Sequence, residues 1–96
     1  MLKRQNLKKE KKVKITFVVP ADSPAAYIAG DFNQWDTEAL PLRKRSNGTC
    51  SASVELNPGA KYAFRYVSNN GDWMNEENAD GYEPNEHGTE NCVVMT

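Results

Sequence analysis

The chain has one histidine, His87, and two cysteines, Cys50 and Cys92, among 96 residues. A zinc centre draws on several His or Cys ligands, and one histidine with two cysteines makes no such cluster, so no metal site is expected. The same scarcity leaves a Ser-His-Asp arrangement without support. Two cysteines make no disulfide framework, and both fall in strand-like segments. They read as reduced, buried, small apolar side chains. No apolar run approaches the ~20 residues that a membrane-spanning helix needs. The N-terminus is basic but lacks the apolar core of a secretory signal. The expectation is therefore a cytoplasmic protein with no membrane partner.

Lys and Arg are absent from Asp72 to Thr96, where seven acids lie. Residues 1–14 carry the opposite bias, with seven Lys or Arg against one Glu. The net charge of −1 thus hides a basic start on an acidic body. An acidic body argues against nucleic acid as the main ligand. Residues 1–12 read as a flexible, solvated basic arm, and residues 13–96 as one small domain. The 39% hydrophobic content suffices for one core, not for a second domain or a deep enclosed site.

Within that domain the patterning is that of short strands. Val13-Lys14-Ile15-Thr16-Phe17-Val18-Val19 alternates with period two and is rich in β-branched residues. Ala26-Tyr27-Ile28-Ala29 is a second strand, and Leu40-Pro41-Leu42 a short extended piece at an edge. Asn47-Gly48 is a hairpin signal, followed by the alternating Cys50–Leu56. Tyr62-Ala63-Phe64-Arg65-Tyr66-Val67 has the strongest pattern, with its aromatics on one face and Arg65 on the other. Residues 75–90 are polar, acidic and aperiodic and read as a long loop. Asn91–Met95 closes the domain as the last strand. No segment has helical periodicity with caps. Six or seven short strands with regular turns imply an all-β, antiparallel β-sandwich.

The most informative stretch is Gly30-Asp31-Phe32-Asn33-Gln34-Trp35-Asp36. It sets a tryptophan among residues that build turns, since Asp and Asn bond back to nearby backbone. A flat ring on a polar turn suits a sugar: the ring covers the apolar C–H face of a pyranose and polar neighbours take the hydroxyls. Asn69-Asn70-Gly71-Asp72-Trp73 repeats the arrangement. Phe32 reads instead as a core residue that closes the first turn.

At these motifs the chain resembles carbohydrate-binding family 48, the glycogen- and starch-binding modules. These are immunoglobulin-like "early set" domains at the N-terminus of isoamylases and glycogen-branching enzymes and in the β subunit of AMP-activated protein kinase. The resemblance rests on Ala29–Trp35, Tyr62–Val67, Gly71-Asp72-Trp73 and Gly88-Thr89-Glu90-Asn91, in that order. It spans about residues 13–96. It implies that Trp35 and Trp73 stack on glucose rings and that Arg65, Thr89 and Asn91 bond to hydroxyls. Arg and Asn donate, and Thr and Asn also accept. Arg65 stands where the family usually has Lys, which changes the donor geometry. His87 stands where the family usually has a leucine that threads the glucan, and it would shape the edge of the site.

The resemblance implies a non-catalytic module that binds α-1,4-glucan (glycogen, starch or maltooligosaccharide), with no cofactor. The competing reading is a structural module that docks on a glucan-metabolising enzyme, with the two tryptophans as protein-interface anchors. Glycosidases need two carboxylates held across a cleft. Glu76, Glu77, Asp80, Glu83 and Glu86 supply carboxylates, but from a segment expected to be a solvated loop without the pattern of a calcium site. No catalytic residue is assigned.

Overall fold

Alternation of buried and exposed side chains builds most of this structure, a computed structural model that describes all residues from Met1 to Thr96. The strands are β1 (Leu2–Leu7), β2 (Lys12–Pro20), β3 (Ala25–Gly30), β4 (Arg43–Lys44), β5 (Thr49–Leu56), β6 (Lys61–Ser68), β7 (Trp73–Met74), β8 (Gly81–Pro84) and β9 (Glu90–Met95). A 3-10 turn over Asp31–Asn33 follows β3. One sheet has the order β1-β2-β5-β4 and the other β3-β6-β9-β8, with β7 also on β6. All pairings are antiparallel. The expected all-β sandwich of immunoglobulin-like, early-set type is what the chain forms.

The core is filled from both sheets. Val13, Ile15, Phe17 and Val19 point inward from β2, and Phe64, Tyr66, Cys92 and Val94 meet them from β6 and β9. Phe17 packs edge-on against Phe64 with ring centroids 4.9 Å apart. Burying a side chain of this size contributes roughly 1.5–3 kcal/mol. Phe32 packs against Phe17 at 5.9 Å and Tyr62 at 6.4 Å, so the turn after β3 is closed by an aromatic lid, as its sequence implied. Cys92 is fully buried, whereas Cys50 is only half-buried.

Leu40–Leu42 lies along the free edge of β3. The Ile28 amide donates to Leu40 O at 3.0 Å and the Leu42 amide to Ala26 O at 2.8 Å. The chain then crosses to the other sheet as β4. Pro41 interrupts no ladder here because it sits at an edge.

Two segments depart from the sequence reading. The flexible arm expected over residues 1–12 is instead largely a strand, with Leu2–Leu7 paired residue for residue against Phe17–Lys12. Leu2 and Leu7 are half-buried, and the four residues between them are exposed. Arg4 crosses the open side of the sandwich: it pairs with Asp80, and its Nε donates to Met95 O at 3.0 Å. A short edge strand whose middle is the polar Lys3-Arg4-Gln5-Asn6 has weak intrinsic β-propensity, and its stability comes from pairing. The second is the supposed loop over residues 75–90. Within it Gly81–Pro84 forms β8 on the edge of β9, and the Tyr82 hydroxyl donates to Glu76 O. Glu83 and Pro84 break the apolar alternation that would have marked it.

Candidate functional site

β6 is the strand that organises the outer face of the second sheet. Its inward side carries Tyr62, Phe64 and Tyr66, so Arg65 must point outward. β3 and β7 flank it through Val67, which pairs with both Tyr27 and Trp73. Trp73 therefore stands on the outer face, where 42% of it is exposed. The turn after β3 brings Trp35 to the same face.

That turn is built by close approach and by strain. A Cβ on Gly30 would lie 2.6 Å from Ala63 O and 2.8 Å from the Phe32 ring, so only glycine fits. Asn33 Oδ1 accepts from the Gly30 amide at 3.0 Å, and its Nδ2 donates to Ile28 O at 3.0 Å. Gln34 and Trp35 then both take left-handed backbone, with φ of 55° and 58°. For side chains with a Cβ this costs about 1–2 kcal/mol each. The Trp35 amide bond to Gly30 O at 2.9 Å helps to hold the conformation. Strained backbone of this kind recurs where a side chain must be aimed.

Asp31 aims the ring. Its Oδ1 accepts from the Trp35 indole Nε1 at 3.1 Å and its Oδ2 from the Ala63 amide at 2.8 Å. The carboxylate thus ties the indole to β6. Trp35 and Trp73 end with ring centroids 6.3 Å apart and planes tilted by 45°. Behind them Arg65 places its guanidinium 5.9 Å from the Trp73 centroid, a cation–π contact. Its Nε donates to Asn75 Oδ1 at 2.8 Å and its Nη1 to Thr89 Oγ1 at 3.3 Å.

The facing wall is the turn between β8 and β9. Asn85 Oδ1 accepts from the His87 amide at 2.9 Å and the Thr89 amide at 3.2 Å. His87 stands at the rim, largely exposed, with Nε2 3.7 Å from Glu86 Oε1. Asn91, on β9 opposite Glu83, is half-buried. Together these walls enclose an open groove of about 880 Å³. Trp35, Arg65, Trp73, His87, Thr89 and Asn91, singled out from the sequence, all line it.

The expected division of labour changes in one respect. Arg65 and Thr89, both assigned to sugar hydroxyls, are bonded to each other. Thr89 Oγ1 also bonds with both ends of the Asn85 amide, so its hydroxyl is already occupied. Arg65 keeps its Nη2 without a protein partner. Asp31, Asn75, Glu83, Asn85 and Glu86 were not among the expected site residues. Asn85 had a signal: Asn followed three residues later by Gly88 reads as a turn closed by the Asn side chain.

Loss of the Asp31 clamp is expected to loosen Trp35 without removing it. Asp31→Ala should red-shift the tryptophan emission and leave the Trp35 backbone bond to Gly30 in place. Unchanged emission and unchanged ring contacts by NMR would show that the turn alone holds the indole.

No curated protein sequence matches this chain. Residues 5–84 match the family model of carbohydrate-binding module 48, the isoamylase N-terminal domain. The match covers both tryptophans and Arg65 and stops before the turn that carries His87 and Thr89. With the sandwich and most of the chain accounted for, the protein belongs to the carbohydrate-binding module 48 family.

Proposed function

We propose that this domain binds α-1,4-glucan chains without acting on them. The observation that carries the reading is the pair of tryptophan rings, 6.3 Å apart and tilted by 45° on one groove. A tilted pair follows a ligand that curves, and the α-1,4 linkage turns each glucose relative to the last. A flat, extended polymer would call for coplanar rings. Arg65 Nη2 and the Asn91 amide offer polar contacts beside the rings, and His87 forms the rim.

The strength can be bounded. If each ring covers about 100 Å² of sugar, the gross gain is roughly 2.5 kcal/mol per ring. Hydroxyl bonds add to this, and association entropy subtracts from it. A net of about 5–6 kcal/mol corresponds to a dissociation constant near 100 μM. Such a site works through avidity, when the domain is tethered to a glucan-metabolising enzyme and the polymer presents many chain ends. A cytoplasmic setting, which would keep Cys50 and Cys92 reduced, is part of the same proposal.

Titration with maltoheptaose and with β-cyclodextrin, followed by tryptophan fluorescence, tests the reading. A saturable change with midpoint near 100 μM is expected for at least one of them. No change at millimolar sugar would sink it and leave a protein-docking role for the same face.

A further inference from the structure

We infer that Asn85 is a positioning residue of this groove: its side-chain amide sets the orientation of the Asn91 amide, so that Asn91 presents a donor, not an acceptor, to a bound sugar. The inference rests on the sugar-binding reading of the groove and assigns a role to a residue outside the expected set.

The bonding capacity of Asn85 is spent within the protein. Its Oδ1 accepts from the amides of His87 at 2.9 Å and Thr89 at 3.2 Å, and lies 3.1 Å from Thr89 Oγ1. Its Nδ2 donates to Thr89 Oγ1 at 2.9 Å and to Asn91 Oδ1 at 3.1 Å. A carboxamide has one NH2 with two donor hydrogens and one oxygen with two lone pairs, so Asn85 has nothing left for a ligand. It holds the groove wall and does not touch sugar.

The consequence falls on Asn91. Its Oδ1 is taken by Asn85 Nδ2, while its own Nδ2 has no protein partner and belongs to a residue that lines the groove. Arg65 also meets the groove with a donor, since its Nη2 is free and its other bonds run to Asn75 and Thr89. Asn85, Thr89 and Arg65 form one continuous relay that ends at the Trp73 ring. The relay turns two donors, Arg65 Nη2 and Asn91 Nδ2, to the groove, and a sugar oxygen placed against them must accept, while Glu83 and Glu86 supply acceptors on the same wall.

Asn85→Asp isolates this role. The new carboxylate keeps an oxygen for the His87 and Thr89 amides, so the turn persists. It cannot donate to Asn91, whose amide must rotate to give its NH2 to the carboxylate and turn its oxygen into the groove. The added charge has no direct effect on a neutral glucan. By calorimetry with maltoheptaose, Asn85→Asp should bind about fivefold to tenfold more weakly than the wild type, with little change in Tm. Asn91→Ala should weaken binding to a similar extent, and the double variant should be no weaker than either single one. Wild-type affinity in Asn85→Asp, or losses that add in the double variant, would overturn the inference. If the wild type gives no heat at millimolar maltoheptaose, the glucan reading fails, and the side-chain amides of the free domain decide the positioning by 15N NMR. There the Asn91 NH2 should exchange freely with water in the wild type and become protected in Asn85→Asp. An Asn91 amide unaffected by the substitution would refute the role of Asn85 whatever the ligand.

Discussion

Trp35→Ala is expected to weaken glucan binding about fiftyfold, taking a site near 100 μM beyond the range of a millimolar titration. The magnitude follows from one stacking surface, worth roughly 2.5 kcal/mol, lost with no compensating contact. The substitution leaves the rest of the turn intact. Asp31 Oδ2 keeps the Ala63 amide, Asn33 keeps its two backbone bonds, and Phe32 keeps its place over Phe17. Tm should therefore move little, which separates lost binding from lost folding. Trp73→Ala should cost a comparable amount and also release Arg65, which stacks on that ring. Binding of maltoheptaose by Trp35→Ala at wild-type strength, measured by calorimetry, would remove the platform from the account. Loss of a protein complex with glucan binding intact would favour the docking role instead.

The second large effect lies in the core, at Glu76. This carboxylate is only 6% exposed. Its Oε1 accepts from the Tyr66 hydroxyl at 2.9 Å and from the Met1 amino group, and its Oε2 from the Asn78 amide at 3.1 Å. Burial alone would raise its pKa, but the bonds from the amino group, the Asn78 amide and the Tyr66 hydroxyl outweigh burial and hold it below the usual carboxylate range. Glu76→Ala leaves the buried Tyr66 hydroxyl and the Asn78 amide without this acceptor, while the Met1 amino group keeps Val18 O. The expected cost is about 3 kcal/mol, or a Tm lowered by more than ~10 °C in a domain this small. Thermal unfolding of Glu76→Ala within ~2 °C of the wild type would contradict this.

The same cluster gives stability a pH dependence with a definite sign. In the folded state Glu76 binds its proton more weakly than in the unfolded chain. Its contribution is complete above the ordinary carboxylate pKa and is lost as pH falls below it towards the folded value. Tyr66 works at the other end of the scale. Burial, followed by the Glu76 charge, raises its pKa, so its contribution is complete below the ordinary tyrosine pKa of 10.0 and fades above it. Glu76→Gln should flatten the acid limb of a Tm-against-pH curve, and Tyr66→Phe the alkaline limb. An acid limb of unchanged slope in Glu76→Gln would assign that limb to other carboxylates.

Much of this architecture was legible because its strands bury one face. The alternation in Val13–Val19 and Tyr62–Val67 states which side chains face the core, and Arg65 follows as an outward residue. The turn chemistry around Trp35 and Trp73 was equally plain. What stayed hidden is what depends on partners distant in sequence. β1 is held by the edge of β2 and by Arg4 reaching Asp80, and neither is visible in the polar stretch Lys3–Asn6. β8 is a four-residue edge strand that carries a proline. The donors and acceptors of the groove were foreseen as residue types but not as a network. Thr89 looks free in sequence, and only the approach of β6 to the turn between β8 and β9 joins it to Arg65.

β6 pairs with β3, β7 and β9, and every wall of the groove hangs on one of these pairings. Two of them join segments far apart in the chain, and such contacts close late in folding because loop entropy opposes them. The β1–β2 hairpin is local and has no part in the groove. If the groove binds sugar as proposed, capture is therefore among the last properties this chain acquires as it folds. On that reading a nascent or partly unfolded copy, however much β-structure it contains, would be blind to sugar, and occupancy of the groove would report a finished molecule.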